Sequence, residues 1–427
     1  MQLFVILISL FYILYPYQDI YILAKHIKLY YLVYVILGYF ILLLTISNIK
    51  IFLLAKKYFQ FSIIYFLLMI WFMLSITWSV DPNRSIFVWI KYFIYFTIGF
   101  ILFILLSINF TKTIAIIAKS TFVSSIIISF AYLLKFAKYG ILILTSGKAT
   151  MANIASIASI NVGFGGGRNL LASWITFSLT FAFPILYTQV SKKIKIVLLF
   201  GVLVNFIVII LTLSRTSQLA LLIFALLLIF YNEKNILKNL SIKMLSSLFG
   251  LLIIIIFNPI NLRNFLFNRF ILAIKSLAGE IEDYGVLGRI ELWTYAIKSI
   301  EEKFFTGTGI GTLYGGLNEI GGVQNYHNVF LQFFAQIGFI GFILFVIWTL
   351  WLFIMAYKLH KFYFFNFRLK LIAYIILLNF IVYYFKSLLM FQYFDLEIWT
   401  IIPTIFALYY LKEKVQNEKY MCSNSSF

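Results

Sequence analysis

Residues 327–351 read HNVFLQFFAQIGFIGFILFVIWTLW, a stretch with no acidic residue, lysine or arginine. A helix needs about 17–25 predominantly apolar residues to cross a bilayer, and this stretch is long enough. It follows the longest polar segment of the chain, residues 258–327. The sequence here predicts a membrane-spanning helix that begins where a long extramembranous loop ends.

Similar apolar runs recur along the whole chain of 427 residues. Only 11% of the residues are charged, whereas soluble domains have about 25%. We therefore predict an all-α integral membrane protein with about 12 transmembrane helices and one long loop that carries short amphipathic helices. The predicted spans are residues 2–16, 29–47, 61–78, 85–107, 113–134, 168–188, 194–213, 216–231, 242–257, 328–356, 370–388 and 397–411.

The basic residues predict how the chain is oriented, because lysine and arginine collect at cytoplasmic ends. With the N-terminus in the cytoplasm, the cytoplasmic segments hold 17 of them and the short loops on the other side hold 9. The net charge of +20 is thus typical of a membrane protein, and no basic soluble domain indicates nucleic-acid binding. We expect cytoplasmic termini, a transmembrane domain over 1–411 with the 258–327 loop outside, and a polar, disordered cytoplasmic tail over 412–427.

The sequence contains no pattern of metal ligands. Cys422 is the only cysteine, and paired histidines at ligand spacing do not occur. The acids Glu280, Glu282 and Asp283 could hold a divalent ion, but a solvated loop face is the favoured interpretation. We predict neither a metal site nor a cofactor.

His327 stands where the long loop meets the apolar run. A helix start lowers the pKa of a nearby histidine and favours the neutral form that a general base needs. The alternative, favoured by position alone, is a residue that caps the helix at the membrane interface. By helical spacing, His327 shares one face with Leu331, Ala335 and Gly338.

A second stripe at the same spacing is polar and consists of Asn328, Gln332 and Gln336. Amide side chains inside a span are costly against lipid. We therefore expect this stripe to face a neighbouring segment or a wet cavity.

Three arginines are candidates for binding an anion. Arg289 follows Gly288 in the first turn of a predicted amphipathic helix, whose apolar face is Ile290, Trp293, Ala296, Ile297 and Ile300. Backbone N–H groups and a guanidinium at a helix start form an anion site, and such a helix with an aromatic is typical of a membrane interface. Arg215 lies in a short turn between spans, where snorkelling to the headgroups is the alternative, and Arg168 follows three glycines.

Gly307, Gly309 and Gly311 do not form a nucleotide-binding fingerprint, because no strand precedes them and no phosphate-binding helix follows. We interpret this run as a turn that brings two segments close together.

Three features together resemble the O-antigen ligase and O-antigen polymerase superfamily. They are Arg215 in Leu-Ser-Arg-Thr, Gly288-Arg289 followed by Trp293, and His327-Asn328 followed after nine residues by Gly338 and Gly341. Trp78-Ser79 and the run 306–311 also match the family. The resemblance covers roughly residues 60–350 and is most specific over 205–345.

The resemblance implies a GT-C-like glycosyltransferase of the bacterial inner membrane with its active site on the periplasmic face. The donor would be an undecaprenyl diphosphate-linked glycan, and the acceptor of a ligase would be the lipid A–core oligosaccharide of lipopolysaccharide. By motif, His327 would be the catalytic residue, Arg215, Arg289 and Arg168 would bind the diphosphate, and Asn328, Gln332 and Trp293 would support them. Loss of the proton from the acceptor to His327 would predict inversion at the anomeric carbon.

Other functions stay open at the level of sequence. An O-antigen polymerase would use the same chemistry with a lipid-linked repeat as acceptor. A transporter or flippase of lipid-linked glycans would need charges deep in its spans, for which Lys91 and Lys119 are the candidates. A scaffold protein of the membrane would need neither His327 nor the arginines.

Overall fold

A computed structural model of the chain describes residues 2–15, 21–22, 27–28, 49–145, 167–188, 190–212, 214–229, 284–313, 325–362, 367–390 and 395–424. Most of these residues are helical. The helices are α1 (Gln2–Leu14), α2 (Ile49–Phe61), α3 (Ile63–Ser75), α4 (Pro82–Ile108), α5 (Phe110–Thr145), α6 (Gly167–Phe177), α7 (Phe183–Tyr187), α8 (Lys192–Leu211), α9 (Arg215–Ile229), α10 (Tyr284–Glu302), α11 (Val329–Lys361), α12 (Phe367–Leu389) and α13 (Ile398–Asn424). A 3-10 turn, Ile76–Trp78, follows α3, and a π turn, Ser178–Ala182, joins α6 to α7.

The long apolar helices confirm a multi-pass membrane protein. Six stretches among the described residues could each cross a membrane: Pro82–Ile108, Phe110–Lys138, Asn169–Tyr187, Lys193–Leu211, Val329–Lys361 and Phe367–Leu389. A bent pair, Ile49–Phe61 with Ile63–Trp78 at 69°, would be a seventh. The predicted spans 29–47 and 242–257 lie outside the described residues, and the helices at the predicted spans 2–16, 216–231 and 397–411 are not among these candidates, so the number of about 12 stays a prediction.

The only strands in the described part of the chain are two short ones. β1 (Tyr21–Ile22) pairs antiparallel with β2 (Ile27–Lys28). Apart from this pair, the described residues confirm the predicted all-α class.

The first of two compact units comprises Met1–Tyr39 and Thr111–Ile271 and contains α1 and α5 to α9. Asn205 of α8 donates to Ser125 Oγ of α5 at 2.9 Å and accepts from Ser129 Oγ at 2.7 Å. Ser125 Oγ also lies 2.7 Å from Ser178 Oγ in the π turn. Hydrogen bonds between buried polar side chains hold helices together where lipid gives no hydrophobic drive. Pro184, which has no N–H to offer, follows this π turn and explains the local change of pitch.

The second unit comprises Phe40–Phe110 and Leu272–Phe427 and contains α2 to α4 and α10 to α13. The first part of α13 is buried in the interior of this second unit. The ring of Tyr65 lies 5.1 Å from Trp399 and 5.3 Å from Trp348, centroid to centroid, so α3, α11 and α13 meet there. A buried ion pair between Lys386 and Glu397 joins the end of α12 to the start of α13.

Two segments differ from the sequence prediction. Residues 49–60 were assigned to a loop, but they form α2, whose buried face is Ile51, Leu54, Ala55, Tyr58 and Phe61. The tail was expected to be disordered from residue 412, but α13 continues to Asn424. Lys57 of α2 donates to Glu413 of α13 at 2.9 Å, so two residues that the charge distribution assigns to the same side are in contact, while the side itself stays a prediction.

The two lysines considered for transport do not form a charged core. Lys91 is half-buried and its ammonium lies 4.4 Å from the ring centroid of Phe87, one turn away on α4. Lys119 is exposed on α5. Both lysines are therefore typical of long side chains that run along an apolar surface towards the headgroups.

Candidate functional site

His327 lies at a sharp change of backbone direction immediately before α11. Its φ angle is +55°, in the left-handed region that non-glycine residues seldom adopt. Two side-chain contacts fix this turn. Asn325 Oδ1 accepts from the His327 backbone N–H at 3.0 Å, and Asn328 Oδ1 accepts from the N–H groups of Phe330 and Leu331 at 3.0 and 3.1 Å. Asn328 is therefore the N-cap of α11, and His327 is held just outside the helix.

Tyr326, the residue before His327, is fully buried and held from two sides. Its backbone N–H donates to Gln332 Oε1 at 2.6 Å, and its carbonyl accepts from Trp293 Nε1 at 3.0 Å. Gln332 belongs to α11 and Trp293 to α10, so both helices fix the backbone that presents His327. The family resemblance predicted Gln332 and Trp293 as supporting residues, whereas no sequence signal indicated Tyr326.

α10 packs against the first turns of α11. Ala296, Leu313, Tyr326 and Ala335 form a buried apolar cluster, and Leu292, Tyr295, Ile300 and Leu331 cover it. The predicted helix is confirmed, but its start and its buried face were wrong. α10 begins at Tyr284, so Arg289 lies in its second turn and not at its N-terminus, while Ile290 and Ile297 are exposed.

The structure brings Arg289 close enough to His327 to change its ionisation. Burial lowers the pKa of His327 below its usual value, and the positive charge of Arg289 lowers it further. The predicted direction of the shift in the pKa of His327 is the same, but the prediction rested on the helix start, whereas burial and Arg289 are the causes seen here. A neutral imidazole beside a permanent guanidinium can accept a proton near an anionic group.

α11 breaks at its tenth residue, Gly338. Gly338 has φ +64°, and a Cβ at this position would lie 2.2 Å from the carbonyl oxygen of Phe305. The predicted helical face through His327, Leu331, Ala335 and Gly338 therefore fails at both ends, because His327 precedes the helix and Gly338 has a non-helical backbone. Irregular backbone at membrane depth needs partners from the protein itself, and residues 303–313 supply them.

These residues form a glycine loop, 303–313, that pairs with the unwound part of α11. Thr308 N–H donates to Ala335 O at 3.0 Å, Gly309 N–H to Gln336 O at 2.8 Å, and Phe339 N–H to Phe304 O at 2.7 Å. The Gln336 amide adds two contacts, from Gly311 N–H at 3.0 Å and to Thr312 O at 2.9 Å. The predicted turn that brings two segments together is thus confirmed, and within the amide stripe it is Gln336 that faces this neighbouring segment.

The end of α3 and the turn after it hold the other side of the glycine loop. Trp78 Nε1 donates to Thr306 O at 2.9 Å, Val80 N–H to Thr308 O at 3.0 Å, and Ser85 Oγ to Ile310 O at 2.6 Å. Trp71 Nε1 donates to Ile337 O at 2.9 Å, and its ring leaves no room for a Cβ at Gly341. Sequence reasoning missed Trp71, although Trp71 and Trp78 lie two helical turns apart and could have indicated a shared partner.

Arg215 lies at a helix start, which is the position that the sequence predicted for Arg289. It is the first residue of α9, and its side chain is half-buried. The turn before it is polar, with Ser214 Oγ 3.2 Å from Ser217 Oγ. First-turn N–H groups have no intrahelical acceptor and carry part of the helix dipole, so they favour an anion.

Arg168 is the second residue of α6. Its backbone therefore lies at a helix start, as the sequence predicted, while its side chain and the preceding residues 146–166 lie outside the described part. Among the described residues no group of three or more His, Cys, Asp or Glu side chains could hold a metal ion.

A comparison with protein families gives one match. Residues 200–346 match the family model described as O-antigen ligase. No curated protein matches the chain. The resemblance predicted from the sequence is thus confirmed for this part, which includes Arg215, Arg289 and His327 and ends after Gly341. The family suggests an enzyme of the O-antigen ligase or polymerase type, with lipid-linked glycan and membrane lipids as partners.

Proposed function

We propose that this chain is an O-antigen ligase of the inner membrane that transfers glycan from undecaprenyl diphosphate to the lipid A–core oligosaccharide. The observation that supports it best is the setting of His327 before α11, where burial and the positive charge of Arg289 both lower the pKa of the imidazole. A base that stays neutral beside a fixed positive charge suits a reaction in which an anionic leaving group departs.

The reaction forms one bond and breaks another. The acceptor hydroxyl oxygen attacks the anomeric carbon of the donor, and the bond from that carbon to the diphosphate oxygen breaks. His327 takes the hydroxyl proton, and undecaprenyl diphosphate leaves with the bonding electrons. Attack from the side opposite to the leaving group inverts the anomeric configuration, in keeping with the prediction from the sequence.

Arginines supply the positive charge that the departing diphosphate needs. A guanidinium binds phosphate oxygens in a bidentate manner, and charge-assisted hydrogen bonds of this kind are stronger than neutral ones. We assign this role to Arg289, supported by its proximity to His327, and to Arg215, supported by its helix-start position. Arg168 is a third candidate at a helix start. With this charge present, the proposed reaction needs no metal ion.

The remaining predicted residues position the base. Asn328 caps α11 next to His327, while Gln332 and Trp293 hold the two polar groups of the Tyr326 backbone. Together they fix a strained left-handed residue that would otherwise relax. We propose a cytoplasmic location for both termini and a periplasmic one for His327, supported by the distribution of basic residues.

The test is transfer by the purified protein in detergent. It receives an undecaprenyl diphosphate-linked glycan together with lipid A–core, and the His327→Ala variant is compared with the wild type. Loss of a general base is expected to slow transfer about 10²- to 10⁴-fold. His360→Ala is the matched control, because His360 lies near the opposite end of α11 and should leave the rate unchanged.

The product identifies the acceptor. Glycan on lipid A–core with the wild type and His360→Ala, but not with His327→Ala, supports a ligase that uses His327. Longer lipid-linked chains instead would make the enzyme an O-antigen polymerase. Full transfer by His327→Ala would contradict the role of His327 as the base.

A further inference from the structure

α10 carries an exposed apolar ridge along one side. The ridge consists of Ile290, Ile297, Phe304 and Phe305, of which the first three are spaced seven residues apart. Their side chains are 44%, 49%, 41% and 64% exposed in that order. Seven residues are close to two helical turns, so Ile290 and Ile297 lie in line, and the chain after Glu302 extends that line to the two phenylalanines.

The ridge continues into the lipid-facing surface of α11. The ring of Phe304 stacks on Phe339 with centroids 5.2 Å apart and an interplanar angle of 18°. Phe339 is followed on α11 by further exposed apolar side chains, Ile340, Ile343 and Ile347. A span with these side chains exposed has them in the acyl chains of the bilayer, and Phe305 lies directly beside this surface.

Charged residues occupy the neighbouring side of the same helix. Glu291, Lys298 and Glu302 lie on that side and are exposed, whereas the exposed Glu301, four residues after Ile297, lies at the edge of the ridge. Glu291 follows Ile290 and Lys298 follows Ile297, so each charged residue is rotated by about 100° from a ridge residue. A helix with an apolar side and a charged side is typical of one that lies in the plane of a membrane interface.

Two tryptophans mark the level of the interface at the base of the ridge. The rings of Trp71, near the end of α3, and Trp78, in the turn after it, lie 5.6 Å apart with an interplanar angle of 56°, and Trp78 Nε1 donates to the carbonyl of Thr306. Tryptophan side chains are enriched where membrane and water meet. Thr306 follows Phe305 directly, so the ridge meets the bilayer at this level.

We propose that α10 lies flat in the membrane interface, with the ridge in contact with the acyl chains of the phospholipid leaflet. The sequence indicated an interfacial helix with Trp293, Ala296 and Ile300 on its lipid side, whereas in the structure Ala296 and Ile300 pack in the cluster with Ala335 of α11, and Trp293 donates to the carbonyl of Tyr326. With Ile290 in contact with acyl chains, Arg289 and His327 lie at the level of the lipid headgroups. A lipid-linked phosphate would then reach Arg289 without leaving the bilayer.

The test measures the depth of single side chains in the full-length protein. Cys422 is the only cysteine, so Cys422→Ser gives a background for nitroxide labels at Ile290→Cys, Ile297→Cys and Phe305→Cys. Glu291→Cys and Lys298→Cys are matched controls at the same position along the helix. Each label is read in lipid bilayers by its collision rates with oxygen, which concentrates in acyl chains, and with a water-soluble nickel chelate.

The proposal requires the ratio of oxygen to nickel collision rates to be higher at residue 290 than at residue 291, and higher at residue 297 than at residue 298. The labels at residues 290 and 297 should also lie at similar depth. Those two ridge positions lie about 10 Å apart along the helix axis, so a helix that stands away from the membrane would give a steep gradient between them. Such a gradient, or equal ratios within each neighbouring pair, would overturn the proposal. Shielding of the ridge labels from both reagents would place the ridge against protein and overturn it as well. The measurement involves no transfer reaction, so it is independent of the proposed ligase activity.

Discussion

Arg289 and Arg215 were predicted as two members of one diphosphate-binding set, yet the structure gives them different local settings. Arg289 lies in the second turn of α10, where backbone N–H groups are already bonded within the helix, and its charge lowers the pKa of His327. Arg215 begins α9, where the helix dipole adds to its own charge. An arginine can thus change the ionisation of a nearby base, as Arg289 does, or bind an anion together with a helix start, as expected for Arg215.

Arg289 and Arg215 are therefore expected to have different functions, although the motif assigns both to diphosphate binding. A positive charge beside His327 both attracts the diphosphate and keeps the imidazole neutral, so Arg289 is expected to affect binding and protonation together. Arg215 is expected to affect donor binding alone. The effects of substituting Arg289 and Arg215 can therefore be distinguished by the pH dependence of the reaction.

The largest effect is expected from Arg289→Ala. Loss of a charge-stabilising group near a developing anion commonly lowers the rate about 10²- to 10³-fold. In addition, the pKa of His327 should rise towards its usual value, because one of the two causes that lower it is gone. The neutral base is then lost at a higher pH, so the acid limb of the pH–rate profile for kcat/KM should move to higher pH.

Two variants serve as comparisons for this measurement. Arg215→Ala should lower donor use without moving the acid limb, because the burial and the charge that act on His327 remain. Lys298→Ala removes a positive charge from the exposed side of α10 and should change neither quantity. An acid limb that stays in place in Arg289→Ala would contradict the electrostatic role of Arg289.

How far the sequence predicted the site depends on the kind of feature. Long apolar runs gave the spans, because helix length and hydropathy are local properties. The spacing in the run from Arg289 onwards predicted α10, and the glycine run predicted a close approach of two segments, but the packing of α10 against the start of α11 was not predicted. The pattern for α2 was also present, since Ile51, Leu54, Ala55 and Tyr58 follow helical spacing, but three nearby lysines led to its assignment as a loop.

Other features could not be predicted because they depend on distant partners. Gly285 and Gly288 disfavour a helix, so a start at Tyr284 depends on packing of the later turns against Tyr326 and Ala335. The break at Gly338 lies within an uninterrupted apolar run. It is stable only because residues 304–312, which precede it by about 30 positions, accept and donate its backbone hydrogen bonds.

A smaller effect is expected from Gln332→Leu, which tests whether His327 is held rigidly enough for Arg289 to act on it. The substitution leaves the buried Tyr326 N–H without its acceptor, a loss of about 1–3 kcal/mol in the free energy of unfolding. His327 should become less buried, and the acid limb should again move to higher pH. Gln332→Glu keeps an acceptor oxygen and is expected to be closer to the wild type in stability. Equal stability of wild type and Gln332→Leu would show that the Tyr326 contact does not hold the turn.

The smallest effect is expected from Asn328→Ala, which asks whether the position of His327 is set by α11 or by α10. The cap satisfies two N–H groups of α11, and its removal should lower the free energy of unfolding by about 1 kcal/mol. Asn328→Ser can still cap the helix and should restore most of this loss in an unfolding titration in detergent.

If transfer keeps its pH profile while stability falls, α10 alone suffices to hold His327, because Trp293 still binds Tyr326 and Arg289 still acts on the imidazole. An acid limb that shifts in Asn328→Ala but not in Asn328→Ser would instead assign the position of His327 to the cap of α11.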